Sequence, residues 1–263
     1  MFNMTPMVKN ILIINVAIFF LGNFLPFDVS GLFGVYSIYS DHFFIYQYVT
    51  YMWLHAGFSH IIGNMFAVLI FGPMLERVWG SKKFLTFYLI TGIGAGLLYG
   101  VADTVEKGMV RNDAYSFYEN PNPEEFYKYI HKHGRRYDLV QLSDFADEYH
   151  DNESNSSYIG QAKSYVEQIY EGMLDIPMIG ASGAVFGILM AFGMLFPNTQ
   201  LMLLFPPIPI KAKYLVMFYG AYELYSEINR AGTDNVAHFA HLSGMLIAFI
   251  LLKFWARNGR DFY

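Results

Sequence analysis

Cysteine is absent from all 263 residues, which excludes disulfides, thiol nucleophiles and thiolate metal sites while leaving the redox compartment open. Charge is scarce: Asp, Glu, Lys and Arg make up 15% of the chain, against about 25% in soluble domains. No H-E-x-x-H occurs, so the ligand motif of a helical zinc protease is missing. Residues 22–55 hold no Lys or Arg. No internal symmetry relates two halves of the chain, which argues against a transporter. The net charge of −5 comes mostly from the middle of the chain and implies no nucleic-acid partner.

What is present is apolar: 54% of residues are hydrophobic and 19% aromatic. Apolar stretches lie near residues 10–25, 58–76, 84–102, 177–196, 212–226 and 236–255. Each is close to the ~20 residues that cross a bilayer. The expected fold is an all-α membrane protein with six transmembrane helices and both termini on one side. Lys9, Arg77, Lys82, Lys83, Lys211, Lys213, Lys253, Arg257 and Arg260 fall on that side if the spans alternate, and Arg230 on the other. The positive-inside rule then makes both termini cytoplasmic. The first segment has one charge before its apolar run, no clear small-residue cleavage site and five further spans behind it. It reads as a retained helix rather than a signal peptide.

Three units follow: residues 1–102 with spans one to three, an insertion over 103–175, and residues 176–263 with spans four to six. The insertion carries 15 acidic and 7 basic residues and is expected outside the membrane. Ala162, Tyr165, Val166, Ile169, Tyr170 and Met173 recur at helical spacing, predicting one amphipathic helix that packs on the membrane domain or a partner. His131 and His133 read as solvated surface histidines. Residues 26–54 form an interfacial connector. Residues 198–210, broken by Pro206, Pro207 and Pro209, read as a loop.

Polar residues inside hydrocarbon are costly and therefore functional candidates. Three stretches carry them: His55-Ala-Gly-Phe-Ser-His60-Ile-Ile-Gly-Asn64, Gly180-Ala-Ser182-Gly183 and Ala237-His238-Phe-Ala-His241. Small residues recur every four positions at Gly183, Gly187 and Ala191 and at Ala240, Gly244 and Ala248, so the two helices can pack closely and bring Ser182 near His241. Ser182 is then a candidate nucleophile at a helix N-terminus, and His241 its general base. No carboxylate is expected near His241, because Glu223 and Glu227 read as interfacial. The expected unit is a dyad, with His238 on another flank as the competing base. His60 and Asn64 share one helical face and can donate to an oxyanion, or simply bond a neighbouring helix. His55 is expected to organise the loop. A zinc site from His55, His60 and His241 lacks a general-base Glu; no metal or cofactor is expected.

Taken in this order, H-x-x-x-x-H-x-x-x-N, G-x-S-G and A-H-L-x-G resemble the rhomboid family of intramembrane serine proteases over about residues 8–256, the insertion excepted. The resemblance implies six helices around a water-filled cavity that opens outward. It implies Ser182 as nucleophile, His241 as base, and His60, Asn64 and the Ser182 amide as the oxyanion hole. Gly180, Gly183, Phe186, Gly244 and His55 are supporting residues. The partners implied are the bilayer and single-pass membrane proteins cut near the outer end of a helix, and the expected location is a bacterial inner membrane. The chain departs from the family at Tyr46-Gln47, where a Trp-Arg pair is common, and at Phe186, where many members have Tyr. The alternative function is a catalytically silent rhomboid-like protein that binds membrane helices.

Overall fold

The computed structural model describes residues 4–22, 24–202, 207–229 and 236–257. Pro206, Arg230 and Arg260 lie outside the described residues. Helices α1 (Pro6–Gly22), α4 (Phe58–Trp79), α5 (Ser81–Glu119), α9 (Ser182–Leu195), α10 (Ala212–Ile228) and α11 (His238–Arg257) form the apolar bundle. Of these, α4, α5 and α11 are long and apolar enough to cross a membrane, while α1 and α9 are shorter apolar helices. Their outward faces carry exposed Ile13, Phe20, Ile62, Phe66, Leu246 and Ile250. Apolar side chains on both the buried and the outward faces suit helices surrounded by lipid rather than water.

The connector from α1 to α4 is a packed layer rather than a plain loop. It contains α2 (Val29–Phe33), α3 (Gln47–Thr50) and a 3₁₀ turn at Tyr51–Trp53. Gln47 is fully buried at its centre. Its Oε1 accepts from the amides of Phe44 at 3.1 Å and Tyr36 at 3.4 Å, and its Nε2 donates to the carbonyl of His42 at 2.8 Å. Tyr46 donates its hydroxyl to the carbonyl of Leu32 at 3.0 Å. Tyr46 and Gln47, which stand where a Trp-Arg pair is common, therefore tie this layer together.

At the other end of the bundle, Glu76 is buried near the C-terminus of α4. Its carboxylate accepts from the amides of Met7 and Val8, both at 2.9 Å, from Ser81 Oγ at 2.6 Å and from the hydroxyl of Thr5. A carboxylate at the start of α1 satisfies amides that have no partner within the helix and meets the positive end of its dipole.

Helix α5 runs unbroken for 39 residues. That is about 58 Å at 1.5 Å per residue, roughly twice the thickness of bilayer hydrocarbon. Its far half joins α6 (Pro123–His133), α7 (Leu139–Asp151) and α8 (Ser156–Leu174). One helix was expected in this region; α8 contains it, and α6 and α7 are additional. Their boundaries are written in capping residues. Asn122 accepts from the amide of Glu125 at 3.0 Å ahead of Pro123, and Asp138 accepts from the amides of Val140 and Gln141. The apolar face of α8 joins a separate small core of Phe117, Phe126, Tyr129, Phe145, Tyr149 and Val166. The insertion thus covers that face itself. His133 is not solvated as expected: its Nε2 lies 2.7 Å from Asp113 Oδ2.

Two described parts of the expected loop over 198–210 are extended and paired instead. Gln200–Met202 (β1) and Pro209–Lys211 (β2) pair antiparallel, with Met202 opposite Pro209. A two-stranded ribbon has only edges, where the missing proline donor is tolerated.

Candidate functional site

Residues 176–182 are laid out by the connector layer. Val35 and Met178 exchange amide–carbonyl bonds of 2.9 and 2.8 Å, and the Gly180 amide donates to the carbonyl of Tyr51 at 3.0 Å. The chain then turns into α9 at Gly180, whose φ of +136° strains any residue with a side chain. A Cβ there would also stand 2.7 Å from His60 Nε2. Ser182 is the first residue of α9, so its own amide and those of Gly183 and Ala184 precede the first intrahelical bond, which Val185 makes to the carbonyl of Ala181 at 3.0 Å.

Helix α11 crosses α9 at Gly183 and Gly244, so closely that a Cβ on Gly244 would collide with the carbonyl of Gly183. Small residues at the crossing allow this approach. It sets Ser182 Oγ 2.8 Å from His241 Nε2. Phe186, one turn along α9, stacks on the imidazole with ring centroids 4.3 Å apart and planes 8° from parallel.

Ser182, His241, His60, Asn64, Gly180, Gly183 and Phe186 all line one cavity of about 580 Å³. Asn64 is buried, and its Nδ2 makes no hydrogen bond among the described residues. The Nδ1 of His60 accepts from the Ala56 amide at 3.4 Å. Gly244 lies at the helix crossing and does not line the cavity. His55 lies outside the cavity wall, edge-on to His60 with centroids 5.0 Å apart. Neither of its ring nitrogens has a hydrogen-bond partner among the described residues, so the hydrogen bonds described for the loop do not involve its ring.

His241 has a further partner that the sequence does not foretell. Glu223 is not interfacial but buried, and its Oε2 lies 2.9 Å from His241 Nδ1 and 2.5 Å from His238 Nδ1. The imidazole expected to lack a carboxylate has one against it. His238, expected on another flank, shares the same oxygen. Among the described residues, Glu223, His238 and His241 are the group whose ligand atoms converge, within 4.8 Å of one another, in place of His55, His60 and His241. Both Nδ1–oxygen separations are hydrogen-bond lengths. Two ligands of a tetrahedral zinc stand about 3.3 Å apart when each binds near 2.0 Å, so the observed spacing suits hydrogen bonds better than a shared ion. A carboxylate within an apolar run, and two histidines three residues apart, were the available signals. Arg136, in the turn between α6 and α7, also reaches the cavity and was not foreseen.

Fold and site together define a helical membrane protein with a serine and a histidine in contact inside its apolar bundle. Residues 42–110 and 155–258, more than half of the chain, match the Rhomboid domain, and the chain belongs to the rhomboid family. The unmatched stretch between them holds the end of α5 together with α6 and α7. The chain is 45% identical over 53 residues to RHOMBOID-like protein 6, mitochondrial, of Arabidopsis thaliana, covering 20% of this chain and 17% of that protein. It is 35% identical over 88 residues to Rhomboid-like protein 11, chloroplastic, of the same plant, covering 34% and 30%. Rhomboid protease AarA of Providencia stuartii is 38% identical over 52 residues, covering 20% and 18%. The matched stretches thus span less than a third of each relative's length. The protein is a multi-pass integral membrane protein related to bacterial and plant rhomboid-like proteins.

Proposed function

We propose that this protein is an intramembrane serine endopeptidase that cuts single-pass membrane proteins near the outer end of their spanning helix. The observation that carries the reading is the 2.8 Å contact between Ser182 Oγ and His241 Nε2, in a cavity walled by apolar helices. Ser182 Oγ attacks the scissile carbonyl carbon while His241 Nε2 takes the hydroxyl proton. The new C–O bond leaves an oxyanion, which accepts hydrogen bonds from His60, Asn64 and the Ser182 amide. Each such donor is worth about 10²–10³ in rate. Collapse of the oxyanion breaks the C–N bond, and His241 passes its proton to the departing amine. Water, deprotonated by His241, then releases the acyl group and restores Ser182. These steps require neither cofactor nor metal.

In this reading α1, α4, α5, α9, α10 and α11 are six spans with cytoplasmic termini in a bacterial inner membrane. The units are residues 1–102, the extracytoplasmic insertion 103–175 and residues 176–263. A substrate helix must be locally extended first, because an intact helix occupies its own backbone groups and shields the scissile carbonyl. The protease named among the relatives supports hydrolysis. The Ser182–His241 contact favours it over a silent helix-binding role.

The test is cleavage of a helix-destabilised transmembrane reporter in liposomes. Wild-type protein is expected to cut it, while Ser182→Ala folds normally and does not. Equal cleavage by Ser182→Ala would overturn the assignment.

A further inference from the structure

The geometry points to Glu223 as a positioning residue that fixes the tautomer and orientation of His241, making the site a serine–histidine–carboxylate triad rather than a dyad. This rests on the proposed roles of Ser182 and His241.

Helix α10 buries only Ala212, Val216 and Glu223. Two of these are small or apolar; the third is a carboxylate, and burying one without partners is costly. Its partners are the two imidazoles of α11. His238 and His241 are three residues apart and therefore share one face of that helix. Both turn Nδ1 toward Glu223 Oε2, at 2.5 and 2.9 Å.

The contact to His241 dictates which nitrogen carries the proton. A neutral imidazole has one N–H, and an ionised carboxylate can only accept. The proton of His241 therefore sits on Nδ1, leaving the Nε2 lone pair directed at Ser182 Oγ, 2.8 Å away. When Nε2 takes the serine proton, the resulting imidazolium already has a negative charge against its far side. The second bond, from His238, holds the carboxylate in place. Phe186 covers one face of the ring, so the carboxylate sets its orientation in plane and the phenyl ring limits its tilt. This division of labour is that of the carboxylate in serine hydrolase triads on unrelated folds.

Two measurements on the full chain in detergent or liposomes test the inference. In wild-type protein with ¹⁵N-labelled histidine, His241 (assigned by its loss in His241→Ala) is expected to carry its proton on Nδ1 with Nε2 unprotonated. A proton on Nε2 in the neutral ring would overturn the inference, and this readout needs no variant of Glu223 to fold. In reporter cleavage, Glu223→Gln is expected to lower kcat by about 10²-fold or more with KM changed by less than about threefold. Glu223→Asp should recover part of the loss. Wild-type turnover by Glu223→Gln, with Ser182→Ala inactive, would sink the role of Glu223 and leave the proposed function standing. Wild-type turnover by Ser182→Ala would sink the proposed function itself.

Discussion

Phe186 and His241 lie face to face, 4.3 Å between ring centroids and 8° from parallel. The family position that often offers a tyrosine hydroxyl here offers only a ring, so stacking alone steadies the imidazole from this side. Aromatic contacts of this kind contribute about 0.5–1.5 kcal/mol beyond buried area. Phe186→Ala should therefore slow reporter cleavage about two- to tenfold, and Phe186→Tyr should leave it near wild type. Steady-state kcat for the two variants checks this; equal loss in both would show that the ring face is not what matters.

The crossing of α9 and α11 makes a stability prediction. A side chain at Gly244 meets the backbone carbonyl of Gly183, which cannot swing aside. Gly244→Val is expected to cost about 1–3 kcal/mol or more and to separate Ser182 from His241, so that stability and activity fall together. Gly160, within α8, has nothing within 4 Å of an added Cβ. Gly160→Ala should instead stabilise by about 0.5–1 kcal/mol. Thermal unfolding in detergent measures both.

The insertion reaches the cavity through Arg136. In the proposed reaction, a cation lining the cavity is expected to favour an acidic residue beside the scissile bond, by about 1 kcal/mol or roughly fivefold at a partly solvated site. Arg136→Glu should reduce or reverse the preference for acidic over basic reporters, read as a ratio of kcat/KM values. An unchanged ratio would remove this turn from substrate selection.

Much of the bundle was legible because apolar length and small-residue spacing are local signals. The stripes at Gly183 and Gly244 foretold the crossing that brings Ser182 to His241. The insertion was only partly legible. Its third helix is foretold by its apolar face; α6 and α7 carry apolar faces as clear, at Phe126, Tyr129 and Ile130 and at Leu142, Phe145, Ala146 and Tyr149, and these went unread together with the caps at Asn122 and Asp138. Glu223 was misread because its position near a helix end is compatible with an interface; only the fold turns it toward α11. Gln47 could not be given a role either, since its partners at Tyr36, His42 and Phe44 are brought together by loop geometry that no periodicity encodes.

The central claim is that the hydroxyl of Ser182 is made nucleophilic by His241. A serine-directed fluorophosphonate, followed by peptide mapping of the adduct, reads this directly. The account predicts one adduct on Ser182 in wild-type protein and labelling slowed by about 10²-fold or more in folded His241→Ala. An adduct on another residue, or labelling of Ser182 at the wild-type rate without His241, would contradict it.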